Sequence, residues 1–291
     1  MKISVVVPCY NEEESLPAFK TRFDEIAARA QNVSFELLFV DDGSVDQTFS
    51  ICKRFAAEDS RVKIISFSKN FGKEAALLCG LKESTGGLVS VMDADLQDPP
   101  GLILSMLEKM RETSCDCVAA RRVTRAGEPP VRSFFARMFY RLMHRISEVR
   151  VEDGVRDFRL MRREVAEAIA GLPEKRRFSK GLMVLVGFDT RYIEYENIER
   201  FAGESKFSFA GLFRYAIEGI TSLTNAPLSM PYVFAALCFC LLILLYAAGF
   251  FAGALVCAVS AVILFSLGVM GSLIGRVFTE TKRRPLYIRK K

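Results

Sequence analysis

Residues Val89 to Pro100 read V-S-V-M-D-A-D-L-Q-D-P-P. A β-branched apolar run enters the stretch and a proline pair leaves it. Val-rich runs of this length, bounded by breakers, belong to strands buried inside a parallel sheet. Open α/β sheets bind ligands beyond the carboxyl ends of their strands, which is where Asp93, Asp95, Gln97 and Asp98 fall. Two aspartates one residue apart, leaving a strand for a loop, can turn toward one point. An all-oxygen set of this kind suits Mg²⁺ or Mn²⁺, ions that bridge phosphate oxygens. Taken alone, the same residues also describe a solvated acidic turn.

The chain on the N-terminal side favours the first reading. Ile3–Val7 is an apolar strand running into Pro8-Cys9-Tyr10-Asn11-Glu12-Glu13-Glu14, with Asn11 as the expected N-cap of a helix reaching about Ala30. Phe35–Val40 is a second strand, ending in Asp41-Asp42-Gly43-Ser44. Val62–Phe67 is a third, followed by Ser68-Lys69-Asn70-Phe71-Gly72-Lys73 and a helix through Leu81. Leu88–Met92 is the fourth and feeds the acidic stretch. Strands alternating with helices of this length give βαβ units and a mostly parallel sheet, so several strands deliver polar, ligand-capable residues to one edge. The first turn lacks the G-x-G-x-x-G of a dinucleotide fold, which argues against a nicotinamide dehydrogenase.

The C-terminal third has another character. From Gly219 to Gly275 there is no charged residue, a run of 57. As one helix it would reach about 86 Å, nearly three times the hydrocarbon thickness of a bilayer. It therefore folds back, with Gly249–Gly253 (G-F-F-A-G) at the turn and helices near Pro231–Ala248 and Ala254–Gly275. Lys206 and Arg214 precede this hairpin; Arg276, Lys282, Arg283, Arg284, Arg289, Lys290 and Lys291 follow it, and the turn carries no charge. Both ends are then cytoplasmic. No signal peptide is expected at the N-terminus, because Ile3–Val7 is too short and runs into Pro and Glu. The expected location is the inner (plasma) membrane, multi-pass, with the N-terminal domain in the cytoplasm. The net charge of +6 fits an anionic lipid surface better than nucleic acid. The eight cysteines are divided between hairpin and cytosolic domain, so reduced thiols are expected. With His144 the only histidine, a zinc site is not.

At this point the motifs carry a resemblance. Pro8-x-Tyr10-Asn11-Glu12, Asp41-Asp42-Gly43-Ser44-x-Asp46, Asn70-Phe71-Gly72-Lys73 and Asp93-Ala94-Asp95-Leu96-Gln97-Asp98-Pro99 resemble the motif series of family-2 glycosyltransferases of the GT-A fold. The likeness is closest to the polyprenyl-phosphate branch: bactoprenol (undecaprenyl-phosphate) glucosyltransferases and dolichyl-phosphate mannose synthases. It continues through Asp157-Phe158-Arg159-Leu160-Met161, Arg177-Phe178-x-Lys180-Gly181, Arg200-x-Ala202-Gly203-Glu204-Ser205-Lys206 and Lys282-x-Arg284-Pro285-Leu286-Tyr287, covering nearly the whole chain. It implies a cytoplasmic GT-A domain over residues 1–225, a transmembrane hairpin over 226–278 and a basic tail over 279–291. The implied reaction is inverting transfer of one sugar, from UDP-glucose or another nucleotide sugar, to undecaprenyl phosphate, by a homo-oligomer in the bilayer.

The resemblance also assigns residues. Pro8, Tyr10, Glu12 and Asp42 lie around the base and ribose, and Lys73, Asp93, Arg200 and Lys206 on the nucleotide's phosphate side. Asp93, Asp95 and Gln97 hold Mg²⁺ or Mn²⁺ on the diphosphate. Arg122 and Arg125, with Arg132, grip the lipid phosphate, since arginine is a planar, permanently charged donor; a basic patch facing lipid headgroups explains the same arginines. Ser133–Ser147 carries Arg137, Arg141 and Arg145 on one face and apolar residues on the other, either an interfacial helix or one packed on the core, and Phe207–Ile220 reads the same way. Asp157 is either a catalytic base or an orienting carboxylate. Relatives usually have Gly where this chain has Arg156, and a family Trp where it has Leu185; the chain has no tryptophan. That absence and the single hairpin set it apart from processive polysaccharide synthases. A non-catalytic nucleotide-sugar-binding subunit remains the rival from another class, and the complete set Asp42, Asp93, Asp95 and Gln97 argues against it.

Overall fold

The structure is a computed structural model and describes residues 1–123, 154–175, 177–196, 234–240, 243, 252–282 and 284–290. Seven strands form one sheet: β1 (Lys2–Cys9), β2 (Ser34–Asp41), β3 (Val62–Ser66), β4 (Leu88–Val91), β5 (Cys117–Arg122), β6 (Val155–Arg162) and β7 (Thr190–Tyr195). Their order across the sheet is β3-β2-β1-β4-β6-β5-β7. β1 pairs in parallel with β2 and β4, β2 with β3, and β5 with β7, whereas β6 runs antiparallel to both β4 and β5. The carboxyl ends of the other six strands thus share an edge with the amino end of β6.

Along β1 the side chains alternate between faces, as the period of a strand requires. Val5 and Val7 join one core with Phe19 and Phe23 of α1 (Leu16–Arg29), Cys52 and Phe55 of α2 (Thr48–Glu58), and Ile103, Met106 and Met110 of α4 (Leu102–Thr113). Val6 joins the other with Ala75 to Leu77, Cys79 and Leu81 of α3 (Lys73–Glu83), Val165 and Ile169 of α5 (Arg163–Gly171), and Met183 of α6 (Ser179–Leu185). Covered on both faces, β1, β2 and β4 are buried almost throughout, which is why they read as continuous apolar runs.

The first helix starts later than its sequence signal. Asn11 takes φ +52° in the left-handed region and is not the N-cap. Ser15 holds that place, with proline in the opening turn of α1. Pro17 presets the helical φ, and Asn11 is drawn instead into the loop after β2, where its Oδ1 accepts the amide of Val45 at 3.0 Å.

At the C-terminal end, α7 (Ala252–Thr281) spans 30 residues. It begins inside the expected turn and passes the expected stop at Gly275. The last uncharged residue marks where an apolar environment can end; it does not end the helix, and no proline intervenes before Pro285. The window Ala258–Gly275 has mean hydropathy 2.1 and none of it is buried. Helical residues 234–240 lie beside α7: the rings of Phe234 and Phe265 are 4.5 Å apart, and Ala235, Cys238 and Phe239 line a cavity with Leu255, Ala258 and Val259. The stretches 133–147 and 207–220, the boundary near residue 225 and most of the first expected membrane helix lie outside the described residues.

Candidate active site

The shared sheet edge gathers the polar strand ends. Across the antiparallel β4–β6 ladder Val91 is paired with Arg159. Asp93 follows the last residue of β4 by two positions, and Asp157 precedes Arg159 on β6 by two, so both fall at this end of the ladder. Lys73, the first residue of α3, bridges them: its Nζ is 2.8 Å from Asp93 Oδ1 and 2.7 Å from Asp157 Oδ2. Burial opposes a charge on Lys73, but Asp157 and Asp93 outweigh it and hold the ammonium protonated far above its ordinary range. Burial would likewise raise the Asp157 carboxyl, yet Lys73 and then Lys180 keep it well below the usual carboxylate range. The other oxygen of Asp157, Oδ1, is buried without a hydrogen-bond partner. Such an atom is costly unless something binds it.

Next to this triad, Asp93-Ala94-Asp95-Leu96-Gln97-Asp98 turns sharply. Leu96 sits at φ +57°, a conformation that non-glycine residues adopt mainly where surroundings enforce it. The amide of Gln97 donates to Asp95 Oδ1 at 3.2 Å. Asp98 is buried and receives Arg156 Nε at 3.1 Å and the hydroxyl of Tyr195. Arg156 also reaches Gln97 Oε1 at 3.4 Å. Arg156 therefore ties the acidic loop to the start of β6.

On the opposite flank, Asp42 is buried at the end of β2, and its carboxylate accepts the amides of Phe71 at 2.7 Å and Gly72 at 2.8 Å. Burial raises its pKa, and those two amides pull it back. Asp42 thus holds the loop that delivers Lys73, a role its position in the sequence did not reveal. Gly43 permits the close approach: at φ +67°, a Cβ there would meet the carbonyl carbon of Lys69 at 2.3 Å. Asn11, Glu12 and Ser44 knit the β1 and β2 loops together, with Asn11 N donating to Ser44 Oγ at 3.0 Å and Glu12 N to Thr48 Oγ1 at 2.7 Å. Pro8 and Tyr10 are half-buried at the same edge.

Arg122 ends β5 there too, its amide donating to Gly154 O at 2.9 Å. Arg125, Arg132, Arg200 and Lys206 lie outside the described residues. The Asp157 carboxylate serves Lys73, and Arg159 donates to the main-chain oxygens of residues 156 and 157. Glu74 was not foreseen at all. Its carboxylate accepts the Ser179 amide at 3.2 Å and the Ser179 hydroxyl, joining α3 to α6, and burial pushes it up to about 7 against those bonds. In the sequence it reads only as a first-turn acid.

A family model described as glycosyl transferase family 2 matches residues 4–170, which include the acidic loop, Lys73 and Asp157. The chain belongs to glycosyl transferase family 2. It is a glycosyltransferase with the GT-A fold. A bactoprenol glucosyl transferase of Shigella phage SfX is 40% identical to this glycosyltransferase over 99% of the chain and 98% of that protein. A prophage bactoprenol glucosyl transferase homolog of Escherichia coli K12 is 37% identical over 100% and 99%. Among solved structures, mannosyl-3-phosphoglycerate synthase from Rubrobacter xylanophilus shares the fold with TM-score 0.52 at 20% identity, covering 75% of this chain and 71% of that one. Glucosyl-3-phosphoglycerate synthase from Mycobacterium tuberculosis, solved with Mn²⁺, UDP and phosphoglyceric acid, does so with TM-score 0.51 at 20% identity over 74% and 75%.

Proposed function

We propose that this glycosyltransferase moves a single glucose from UDP-glucose to undecaprenyl phosphate at the cytoplasmic face of the inner membrane, with inversion at the anomeric carbon. The observation that carries it is the triad Asp93–Lys73–Asp157, set at the ligand-binding edge of the sheet in a chain that continues into a 30-residue apolar helix. Full-length likeness to bactoprenol glucosyl transferases supports the acceptor and the sugar. We read residues 231–248 and 254–275 as a transmembrane hairpin with both ends cytoplasmic, and the functional protein as a homo-oligomer. The packing of Phe234 on Phe265 and the exposed Leu264 and Ile274 support the hairpin.

The residues at the acidic loop fit a hard divalent cation. Among the described residues no three carboxylate, histidine or cysteine groups cluster. Mg²⁺ uses only one or two protein carboxylates when phosphates supply the rest, and Asp93, Asp95 and the amide oxygen of Gln97 form such a set. Bound there, Mg²⁺ or Mn²⁺ would neutralise charge on the departing diphosphate. Pro8, Tyr10 and Glu12 line the nucleotide side, Asp42 fixes the Lys73 loop beside it, and Lys73, Arg200 and Lys206 add positive charge for the leaving group. Arg122, Arg125 and Arg132 hold the acceptor phosphate by charge-assisted hydrogen bonds. One of its oxygens attacks the anomeric carbon as the bond from that carbon to the UDP oxygen breaks. A phosphate monoester has its second pKa near 6, so the nucleophile is largely ionised and no strong base is required. Asp157, locked as a carboxylate by Lys73, accordingly orients the site and does not take a proton.

The test is transfer of labelled UDP-glucose to undecaprenyl phosphate by the detergent-purified full chain with Mg²⁺ or Mn²⁺. Label should enter the organic phase, vanish on chelation, and be lost in Asp95→Asn without a fall in the thermal midpoint. Near-normal turnover by Asp95→Asn would overturn the metal assignment. Label from GDP-mannose or another UDP-sugar instead would reassign the donor, and silence across all donors would overturn the transfer itself.

A further inference from the structure

Past α7 the chain returns to the catalytic sheet. Phe67 and Arg289 form an antiparallel bridge, Ser68 N donates to Ile288 O at 2.9 Å and Lys290 N to Ser66 O at 2.8 Å. The receiving strand, β3, is the outermost on its side of the sheet, so the tail covers an otherwise open edge. Tyr287 stacks on Phe67 with ring centroids 4.8 Å apart and planes 12° from parallel. Arg289 is ion-paired with Glu83 near the end of α3. A basic tail that served only as a cytoplasmic charge flank would need neither the backbone pairing nor the ring stack.

The position of this contact matters as much as its chemistry. Ser66 closes β3, so the tail is fastened at the carboxyl end of an edge strand, a few residues after α7 ends at Thr281. This attachment lies along the edge that bears Asp42, Asp93 and Asp157. A domain joined to its anchor by one link can swing about it, and a further short link at that edge limits the swing. From Tyr287 the contact runs through Phe67 to Phe71, ring to ring at 5.9 Å, and the Phe71 amide is one of the two that Asp42 accepts.

We propose that residues 284–290 are a second tether that turns the active-site edge of the sheet toward the membrane anchor, with Tyr287 and Arg289 as positioning residues. The inference rests on reading α7 as membrane-embedded. The partner surface is the β3 edge with Phe67 and Glu83, and its occupant is the chain's own C-terminal segment. The tether's work is to present the site to an acceptor confined to the bilayer; it touches no reacting atom.

The experiment uses the full chain in lipid nanodiscs, with Val45→Cys carrying a hydrophilic fluorophore and an energy-transfer acceptor dye in the bilayer. Val45 is 86% exposed in the loop after β2, on the same edge. The double variant Tyr287→Ala/Arg289→Ala should lower energy transfer to the bilayer dye. It should also cut transfer to bilayer-embedded undecaprenyl phosphate at least about tenfold, the scale set by misplacing bound reactants. Transfer to a water-soluble, short-chain prenyl phosphate should stay within about threefold. An unmoved label, or parallel loss with both acceptors, would overturn the tether and leave the tail as a fold staple. Should the double variant fail to fold, Arg289→Glu and its charge-swapped partner Glu83→Arg/Arg289→Glu replace it, and the swap should restore what the single change loses. If the wild-type chain glycosylates neither acceptor, the proposed reaction is wrong, and the fluorescence arm still decides the tether.

Discussion

Lys73 is the residue on which the charges of the site balance. Removing it by Lys73→Met takes away the cation that bridges Asp93 and Asp157. We expect kcat to fall by about 10²–10³, the usual loss when a preorganised charge is removed, as read by initial rates at saturating donor. Asp157→Asn should cost a comparable factor with the bell of the pH–rate profile unmoved, because in the proposed reaction Asp157, held below the usual carboxylate range by Lys73, only orients the site; disappearance of an acid limb would show it to be the base. Arg156 is a different case. Its loss in Arg156→Gly leaves the buried Asp98 with Tyr195 as its hydrogen-bond donor among the described residues. Breaking a buried pair from one side costs about 3–5 kcal/mol, discounted here to about 2–3 kcal/mol because Arg156 is partly exposed. For a domain of this size that is a drop of roughly 4–12 °C in thermal midpoint, measurable by scanning fluorimetry. The residue types of the acidic loop were legible because chemistry lies in the side chain itself. That Asp42 serves two amides was not, since those amides are 29 and 30 residues away.

At the scale of elements, α3 does two jobs: it seals one face of the sheet and begins with Lys73. Its close seat on β1 depends on Gly80, where a Cβ would meet Val6 Cγ1 at 2.0 Å. Gly80→Ala gains about 1 kcal/mol in helix propensity and loses about 1–3 kcal/mol to overpacking. The clash wins. We expect a lower thermal midpoint together with reduced transfer, because the helix moves its first residue with it; an unchanged midpoint would show that the helix slides free. The first four strands were readable from β-branched runs bounded by breakers, to within two residues at each end. The direction of β6 was not, because Asp157-Phe158-Arg159-Leu160-Met161 is the same string whichever way its strand runs.

For the whole molecule, acid sensitivity follows from carboxylates whose folded-state pKa is depressed. Glu36 is buried, which alone would raise it, but Lys63 and Ser4 bring it far below its ordinary 4.5. The sign is that of a lowered pKa: the stabilisation is present above about 4.5 and is lost as pH falls toward the folded-state value. Glu36→Gln should cost about 1–3 kcal/mol at pH 7, the penalty for stripping a buried charge-assisted network, and the gap from wild type should narrow as pH drops below about 4.5. A gap that stays constant with pH would show that the charge of Glu36 contributes nothing. Asp59 and Asp157 are depressed in the same sense, so the variant keeps part of the acid limb.

What the sequence by itself determined was everything with a local period or a local chemistry: buried strands, the apolar helix, the oxygen-rich loop and the family. What only the tertiary structure decided was which distant pieces meet. The β4–β6 pairing brings Asp157 and Asp93 to one end of the ladder, Lys73 joins two carboxylates 20 and 84 residues away, and the tail closes on β3. Contacts of that separation leave no spacing in the chain to read. They arise when sheet order and core packing are satisfied together, and no one-dimensional pattern encodes that condition.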